Sequence, residues 1–417
     1  MAASIVPGAA VINSTPQSIE IKATGIDFSP MHARMQWYVD QNILSSCNSL
    51  VMKGTDVVDF KTFGYMDLES RRPLTADAIH RMYSNTKIVT SVAAMMLFEA
   101  GRFGLDDPIA EYIPAFGTPK VLKADAERSD DVTAAAGPIH VRHILSHSAG
   151  LSYGFIEPGS VIDKAYVTAG IDAFGDGATL ESLCNAIAAL PLAYEPGTSW
   201  RYSFATDVVA RLVEVLSGMR FDAFLKKYIF EPLSMHDTDF WVPPAKRERF
   251  VAMYSPNNPL DPMQGGLTLA DDPNTGTYTR ERSMLSGGGG LVSTVSDYLS
   301  FVRMIVNNGT WNGAQILRPE TLALMRSNQL ADGVGVQFPF WAMPNTVFGL
   351  GFALKTAAVA GESAGTVGEY HWGGMAGTHS WMAPNANLTG MCMTQRMPGF
   401  WHPFSHDFKR FAYALAG

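Results

Sequence analysis

Ser84-Asn85-Thr86-Lys87 places a hydroxyl and an amine three residues apart at the head of an apolar-periodic run, Ile88, Val89, Val92, Met95, Met96 and Phe98. That periodicity predicts a buried helix from Ser84 to about Ala100, closed by Gly101. Residues i and i+3 share a helix face, so the Ser84 hydroxyl and the Lys87 amine fall within reach of each other. A hydroxyl becomes a useful nucleophile when a neighbouring unprotonated amine takes its proton. A helix N-terminus and burial both disfavour an ammonium, which tunes Lys87 towards its neutral form. S-x-x-K is the arrangement of serine acyl enzymes. On the order of one such match is expected by chance in a chain of this Ser and Lys content, so a function must rest on what else the chain supplies.

Trp200-Arg201-Tyr202-Ser203-Phe204 follows the turn Glu195-Pro196-Gly197 and precedes a helical run from Ala205. A phenol there, close to a cationic lysine and a helix start, is expected to have a lowered pKa. Tyr202 could then act as the base on Ser84 or pass its proton to a leaving group. Tyr370-His371-Trp372-Gly373-Gly374-Met375-Ala376-Gly377 opens a late hairpin. Glycines in a strand let a substrate lie against the backbone, and an exposed N–H there would pair with that of Ser84 as an oxyanion hole.

Gly150-Leu151-Ser152-Tyr153-Gly154 satisfies G-x-S-x-G, the nucleophile elbow of α/β-hydrolases. The elbow needs a buried strand before the serine and a helix after it. Val141 to Ser146 reads as helical and Phe155-Ile156-Glu157-Pro158-Gly159 as loop, so Ser152 is not expected to be the nucleophile. His143 and His147 are spaced i, i+4 without the acidic partner of a zinc helix and read as structural. No metal or cofactor is expected.

These residues need a scaffold. A helix is predicted from Ser29-Pro30 to about Gln41, then a hairpin over Ser49 to Phe63 turning at Gly54-Thr55-Asp56. The middle of the chain turns helical: Val141 to Ser146, Thr179 to Ala189, Ala205 to Leu216 ended by Gly218, Asp222 to Ile229, and Thr294 to Asn307 after the Gly-rich break at Ser286 to Gly290. Strands return at Tyr370-Trp372, His379-Ala383 and Leu388-Met393, and Ser405 to Leu415 makes a last helix. Strands at both ends predict an α/β fold of the α+β type, with one antiparallel sheet completed by the two termini and a helical insertion. Residues 25–87 with 331–417 form the sheet domain, 88–330 the mostly helical domain with Ser286–Thr294 near the boundary, and 1–24 an extension. A cleft between sheet and insertion is the expected site. Its substrate pockets would be shaped by loops at Asp163 to Gly177 and Pro256 to Arg280.

Length and charge narrow the classes further. A chain of 417 residues suits one large or two closely packed domains, and 47% hydrophobic with 17% charged residues is the balance of a globular enzyme. Only the first twenty-odd residues read as disordered. A net charge of −8 without a Lys/Arg cluster excludes a nucleic-acid partner. No run of about eighteen apolar residues predicts a membrane span, and the N-terminus lacks a basic start, so a cytoplasmic protein without a membrane partner is expected. Cys47, Cys184 and Cys392 lack C-x-x-C spacing and read as reduced core thiols.

Taken together, the three segments resemble the serine β-lactamase and penicillin-binding-protein superfamily, and within it the family VIII carboxylesterases related to class C β-lactamases. Ser84-Asn85-Thr86-Lys87 matches S-x-x-K, and Trp200 to Asp207 is similar to the esterase version of Tyr-x-Asn. His143-Ile144-Leu145-Ser146-His147-Ser148-Ala149-Gly150-Leu151 and Ser286 to Thr294 resemble two further stretches of the family. The resemblance implies a β-lactamase-like fold, with Ser84 as acylated nucleophile and Lys87 and Tyr202 sharing its proton. Which of the two is the principal base stays open, because coupled groups share protons. Trp372-Gly373-Gly374 fits the esterase form of the third motif, making the Met375 N–H the second oxyanion donor; a shifted register assigns Gly374 instead. Phe204 stands where lactam-directed members have Asn, and Trp372 where they have Lys. Both changes remove groups that would hold a lactam and its carboxylate. The implied activity is hydrolysis of short-chain esters with weak β-lactam hydrolysis at most, Trp372, Gly373, Gly374 and Phe204 contacting substrate. The alternatives are acyl transfer to an alcohol, or a β-lactamase or D-amino peptidase.

Overall fold

A computed structural model of the chain describes residues 19–175, 177–400 and 402–417. The disorder expected of the first twenty-odd residues falls mainly on 1–18, outside the described residues.

Eight strands build one antiparallel sheet: β1 (Ser46–Lys53), β2 (Asp56–Asp67), β3 (Arg72–Pro73), β4 (Thr346–Phe348), β5 (Ala353–Lys355), β6 (Tyr370–Gly373), β7 (His379–Ala383) and β8 (Leu388–Met393). Their order is β4-β5-β6-β7-β8-β1-β2-β3, so the two chain ends meet where β8 pairs with β1, Leu50 opposite Met391. The α/β fold class with an antiparallel sheet drawn from both ends is the one observed. The β1–β2 turn needs Gly54, whose φ is +57°.

Alternation along the strands sends side chains to two apolar layers. Val51, Trp381 and Cys392 face one, packed against α1 (Ser29–Asp40) and α10 (Pro403–Ala416) through Met31, Met35, Phe404 and Phe408. Leu50, Met382 and Met391 face the other, which continues into α2 (Thr86–Glu99) and the helices beyond it. Helix α2 is buried from Thr86 to Leu97, which explains its near-continuous apolar sequence: it is the central helix, enclosed on all sides.

The insertion carries α3 (Val141–Leu145), α4 (Val161–Thr168), α5 (Leu180–Ala188), α6 (Ala205–Ser217), α7 (Phe221–Leu225), α8 (Val295–Val306) and α9 (Pro319–Met325). Thr179 and Ser182 cap α5 reciprocally, and Gly218 at φ +65° ends α6. Three readings change. The α-helix begins at Thr86 rather than Ser84, because Tyr83–Asn85 forms a 3₁₀ turn entered through a left-handed Tyr83. Part of the presumed loop from Asp163 is α4, capped by Ser160, whose side chain accepts from the Asp163 N–H. The helical middle also contains short ribbons, among them Met253–Pro256 with Leu267–Asp271; Ile79–Arg81 pairs with Val292–Thr294. That last pairing lays the Gly-rich segment 286–290 against the turn holding Ser84.

Candidate active site

Ser84 is presented by a strained turn. Tyr83 has φ +43°, a left-handed conformation costly for an aromatic residue. Both sides of the turn are held: the Met82 N–H donates to Leu291 O at 2.9 Å, and the Met82 carbonyl accepts from Thr378 Oγ1 at 2.9 Å. The backbone N–H of Ser84 makes no hydrogen bond to another described residue, and Ser84 lines the cleft.

Lys87, in the first turn of α2, is only 2% exposed. Its Nζ lies 3.3 Å from Ser84 Oγ, 3.0 Å from Tyr153 Oη and 2.6 Å from the Gly288 carbonyl. Burial brings its pKa down to about 7, against an opposing pull from the Asp207 carboxylate. A neutral amine has two N–H donors and one lone pair. With Gly288 O and Tyr153 Oη taking the donors, the lone pair is left for the Ser84 hydroxyl.

Tyr202 behaves otherwise than its surroundings suggested from sequence. Burial pushes the phenol pKa up, not down; hydrogen bonds with Ser84 and Trp372 offset only part of this. The rings of His147, Tyr153, Trp200, Phe338 and Trp372 crowd around it, so a tyrosinate would be poorly solvated. Trp372 Nε1 donates to Tyr202 Oη at 3.1 Å, and Lys87 Nζ sits 4.6 Å from the centre of the tyrosine ring. Tyr202 is thus suited to relay a proton as a neutral phenol, which leaves Lys87 as the stronger candidate base.

Asp207, in the first turn of α6, is fully buried. Its Oδ1 accepts from Ser286 Oγ at 2.6 Å and from the Gly288 N–H at 3.1 Å, while Oδ2 has no partner among the described residues. It thereby holds in place Gly288, the residue whose carbonyl accepts from Lys87. Gly288 must be glycine here, since a Cβ would lie 2.5 Å from Asp207 Oδ2 and 3.1 Å from Tyr153 Oη.

At the β6–β7 turn the Gly374 N–H donates to Thr378 O at 2.6 Å. It is therefore consumed in the turn, and the shifted register that made Gly374 an oxyanion donor does not hold. Gly374 also lines neither side of the cleft; a Cβ on it would lie 2.2 Å from Met82 O, so it serves close packing instead of substrate contact. The Met375 N–H makes no hydrogen bond to another described residue, whereas its carbonyl accepts from Gly399 N–H at 2.7 Å.

The cleft has two lobes that meet at Ser84, Tyr202 and Met375. The smaller, about 180 Å³, is walled by Ile156, Phe338, Trp372, Gly373 and Phe400. The larger, about 440 Å³, is walled by Tyr83, Tyr153, Ile171, Phe174 and Phe204. Phe204 packs on Tyr153 with ring centres 4.4 Å apart. Among the described residues no Lys or Arg lines either lobe.

The remaining sequence candidates lie in structural networks. Ser152 is buried away from the cleft; it donates to the Asp163 carboxylate and accepts from Arg201 Nε at 2.7 Å, and Arg201 in turn pairs with Asp163 and Glu157. His147 bonds Ser203 and Thr206 through its two ring nitrogens, and His143 Nδ1 accepts the His140 N–H that starts α3. Among the described residues no His, Cys, Asp or Glu cluster is arranged to hold a metal. Tyr153 and Asp207 escaped the sequence reading. Tyr153 adjoins the serine set aside in G-x-S-x-G, and Asp207 closes the stretch similar to Tyr-x-Asn, where nothing in the spacing gives it a role.

A serine at the head of a central helix, a buried lysine and tyrosine at its hydroxyl, and an apolar cleft over it are the parts of a serine hydrolase. The Beta-lactamase family profile matches residues 40–414, and the chain belongs to that family. Protein Rv1367c of Mycobacterium tuberculosis is 31% identical over 370 residues, covering 86% of this chain and 88% of that protein. Esterase EstB of Burkholderia gladioli is 29% identical over 391 residues, covering 89% and 92%. Among solved structures, EstCE1, described as a hydrolase with promiscuous acyltransferase activity, superposes with a TM-score of 0.76 at 24% identity, over 92% of this chain and 98% of that one.

Proposed function

We propose that the chain is a serine carboxylesterase of the family VIII type, hydrolysing small-molecule esters through an acyl-enzyme on Ser84. The observation that carries this is Lys87 Nζ at 3.3 Å from Ser84 Oγ with its other two contacts engaged, at a pKa of about 7. Lys87 takes the Ser84 proton as Oγ attacks the ester carbonyl. The oxyanion forms between the N–H groups of Ser84 and Met375, an arrangement worth about 10²–10³ in rate per donor. Tyr202 hands the proton to the departing alcohol and is reprotonated from Lys87. Water then attacks the acyl-enzyme along the same path, regenerating Ser84.

Esters are favoured over β-lactams because Trp372 is committed to Tyr202 and, among the described residues, no Lys or Arg lines the cleft walls to receive a lactam carboxylate. Lactam turnover is then a weak side activity, and D-amino acyl peptides are poor substrates. The similarity to Esterase EstB supports the same reading. A cytoplasmic setting belongs to it as well: Cys47, Cys184 and Cys392 are buried free thiols, as a reducing compartment maintains them. Among the described residues no helix is long and apolar enough to cross a membrane.

The apolar lining of the cleft favours a second reading, in which an alcohol outcompetes water for the acyl-enzyme. Product analysis of a chromogenic short-chain ester turned over with a competing alcohol decides between them. Free acid as the main product fits the esterase; predominance of the transesterified product would replace it with an acyltransferase.

A further inference from the structure

Phe155 lines both lobes of the cleft. Its ring lies on Tyr153, centres 4.9 Å apart and planes 22° from parallel, and Tyr153 in turn contacts Lys87. Yet Phe155 is 51% exposed. A half-exposed aromatic standing between two apolar cavities has the shape of a partition. The large exposed hydrophobics among the described residues include two more at this mouth: Val167, 66% exposed, on the larger lobe, and Phe340, 57% exposed, on the smaller. Apolar surface therefore runs from Ser84 out to the rim on both sides of Phe155, and substrate is what can cover it.

The volumes set the sizes. A dry cavity of about 150 Å³ holds one benzene ring. A lobe of about 180 Å³ therefore takes one ring or a short branched chain, and a lobe of about 440 Å³ takes a group two to three times larger. Among the described residues the one charged side chain in the walls is Asp172, on the larger lobe and accepting from the Phe174 N–H, so an anionic substituent meets no cation in either wall.

We infer that Phe155 is a specificity-determining residue that sorts the two halves of the ester, and that the substrate class is a neutral ester with two apolar sides of unequal size. This rests on the Ser84 reading. The carbonyl sits at Ser84 between the lobes, the compact half is confined between Phe155 and Trp372, and the bulky half lies along Phe174 and Phe204. Phe155→Ala joins the lobes and lifts the limit on the compact side.

The test uses two ester series, one growing the acyl chain on a constant phenol and one growing the alcohol on a constant acetyl group. Rates are expressed per Ser84 site titrated with a serine-directed phosphonate. In the native protein one series should fall once the group exceeds about ring size while the other continues to rise. In Phe155→Ala the long-to-short ratio of kcat/KM in the limited series should increase about tenfold or more, the scale of apolar pocket discrimination. Phe155→Leu, which keeps an apolar divider, should retain most of the native limit. Equal tolerance in both native series, or an unchanged ratio in Phe155→Ala, overturns the partition. Failure of phosphonate to titrate Ser84 would instead overturn the nucleophile assignment beneath it.

Discussion

Replacing Asp207 with Asn should move the acid limb of the pH–rate profile to lower pH. The base must be neutral to accept the Ser84 proton, so kcat/KM falls about tenfold per unit below the pKa of Lys87, which burial sets at about 7. The Asp207 carboxylate opposes burial by favouring the ammonium. One residue, Gly288, links the two groups: its N–H donates to Asp207 at 3.1 Å and its carbonyl accepts from Lys87 at 2.6 Å. Opposite charges about 6 Å apart at an effective dielectric of about 20 interact by about 3 kcal/mol, or about two pKa units. An amide removes that charge, the ammonium loses its counter-ion, and the midpoint of the limb should drop by about one to two units. Both hydrogen bonds are kept, since the amide oxygen still accepts from Ser286 and Gly288, while the new Nδ2 takes the unpartnered place of Oδ2. Steady-state kcat/KM on a chromogenic short-chain ester between pH 5 and 9 reads the shift. A limb that stays in place, or moves to higher pH, refutes Lys87 as the titrating base under Asp207 control.

Tyr202→Phe should lower kcat by about 10²–10⁴, the usual contribution of a positioned proton-transfer group. It should also cost about 1–3 kcal/mol of stability, because the buried Trp372 Nε1 loses its acceptor; rate assays and thermal melts measure the two effects. Gly374→Ala forces a Cβ to within 2.2 Å of Met82 O, which should destabilise the fold by about 1–3 kcal/mol and depress activity by displacing the turn before Ser84. Gly159→Ala, where nothing lies within 4 Å of the added carbon, should change neither by more than about 0.5 kcal/mol in a melt.

The parts of this fold written as long periodic runs were legible. Helix α2, the β1–β2 hairpin, α6 with its closing Gly218 and the β6–β8 strands each carry their own period and punctuation. What was hidden depends on pairing between distant segments. Ile79–Arg81 and Val292–Thr294 are three residues each and mean little apart, yet their pairing brings Gly288 to Lys87. The site divides in the same way. Residue types and order picked out Ser84, Lys87 and Tyr202, and the structure brings these three together. The direction of the Tyr202 shift could not be read, because it depends on rings packed around the phenol, most of which (His147, Tyr153, Phe338 and Trp372) come from stretches far from it in sequence. Gly374 failed as a donor for a reason visible only in the turn, where Thr378 O takes its N–H.

The nucleophile is the claim on which the rest depends, and the chain offers two serines in recognised motifs. Treating the native protein, Ser84→Ala and Ser152→Ala with a serine-directed phosphonate, followed by peptide mass mapping, separates them directly. Ser84 lies in the cleft beside the Lys87 amine, whereas Ser152 is buried against Asp163 and Arg201. The adduct should therefore appear on the Ser84 peptide of the native protein and of Ser152→Ala, and vanish in Ser84→Ala. An adduct on the Ser152 peptide that survives Ser84→Ala and tracks with esterase activity would contradict it.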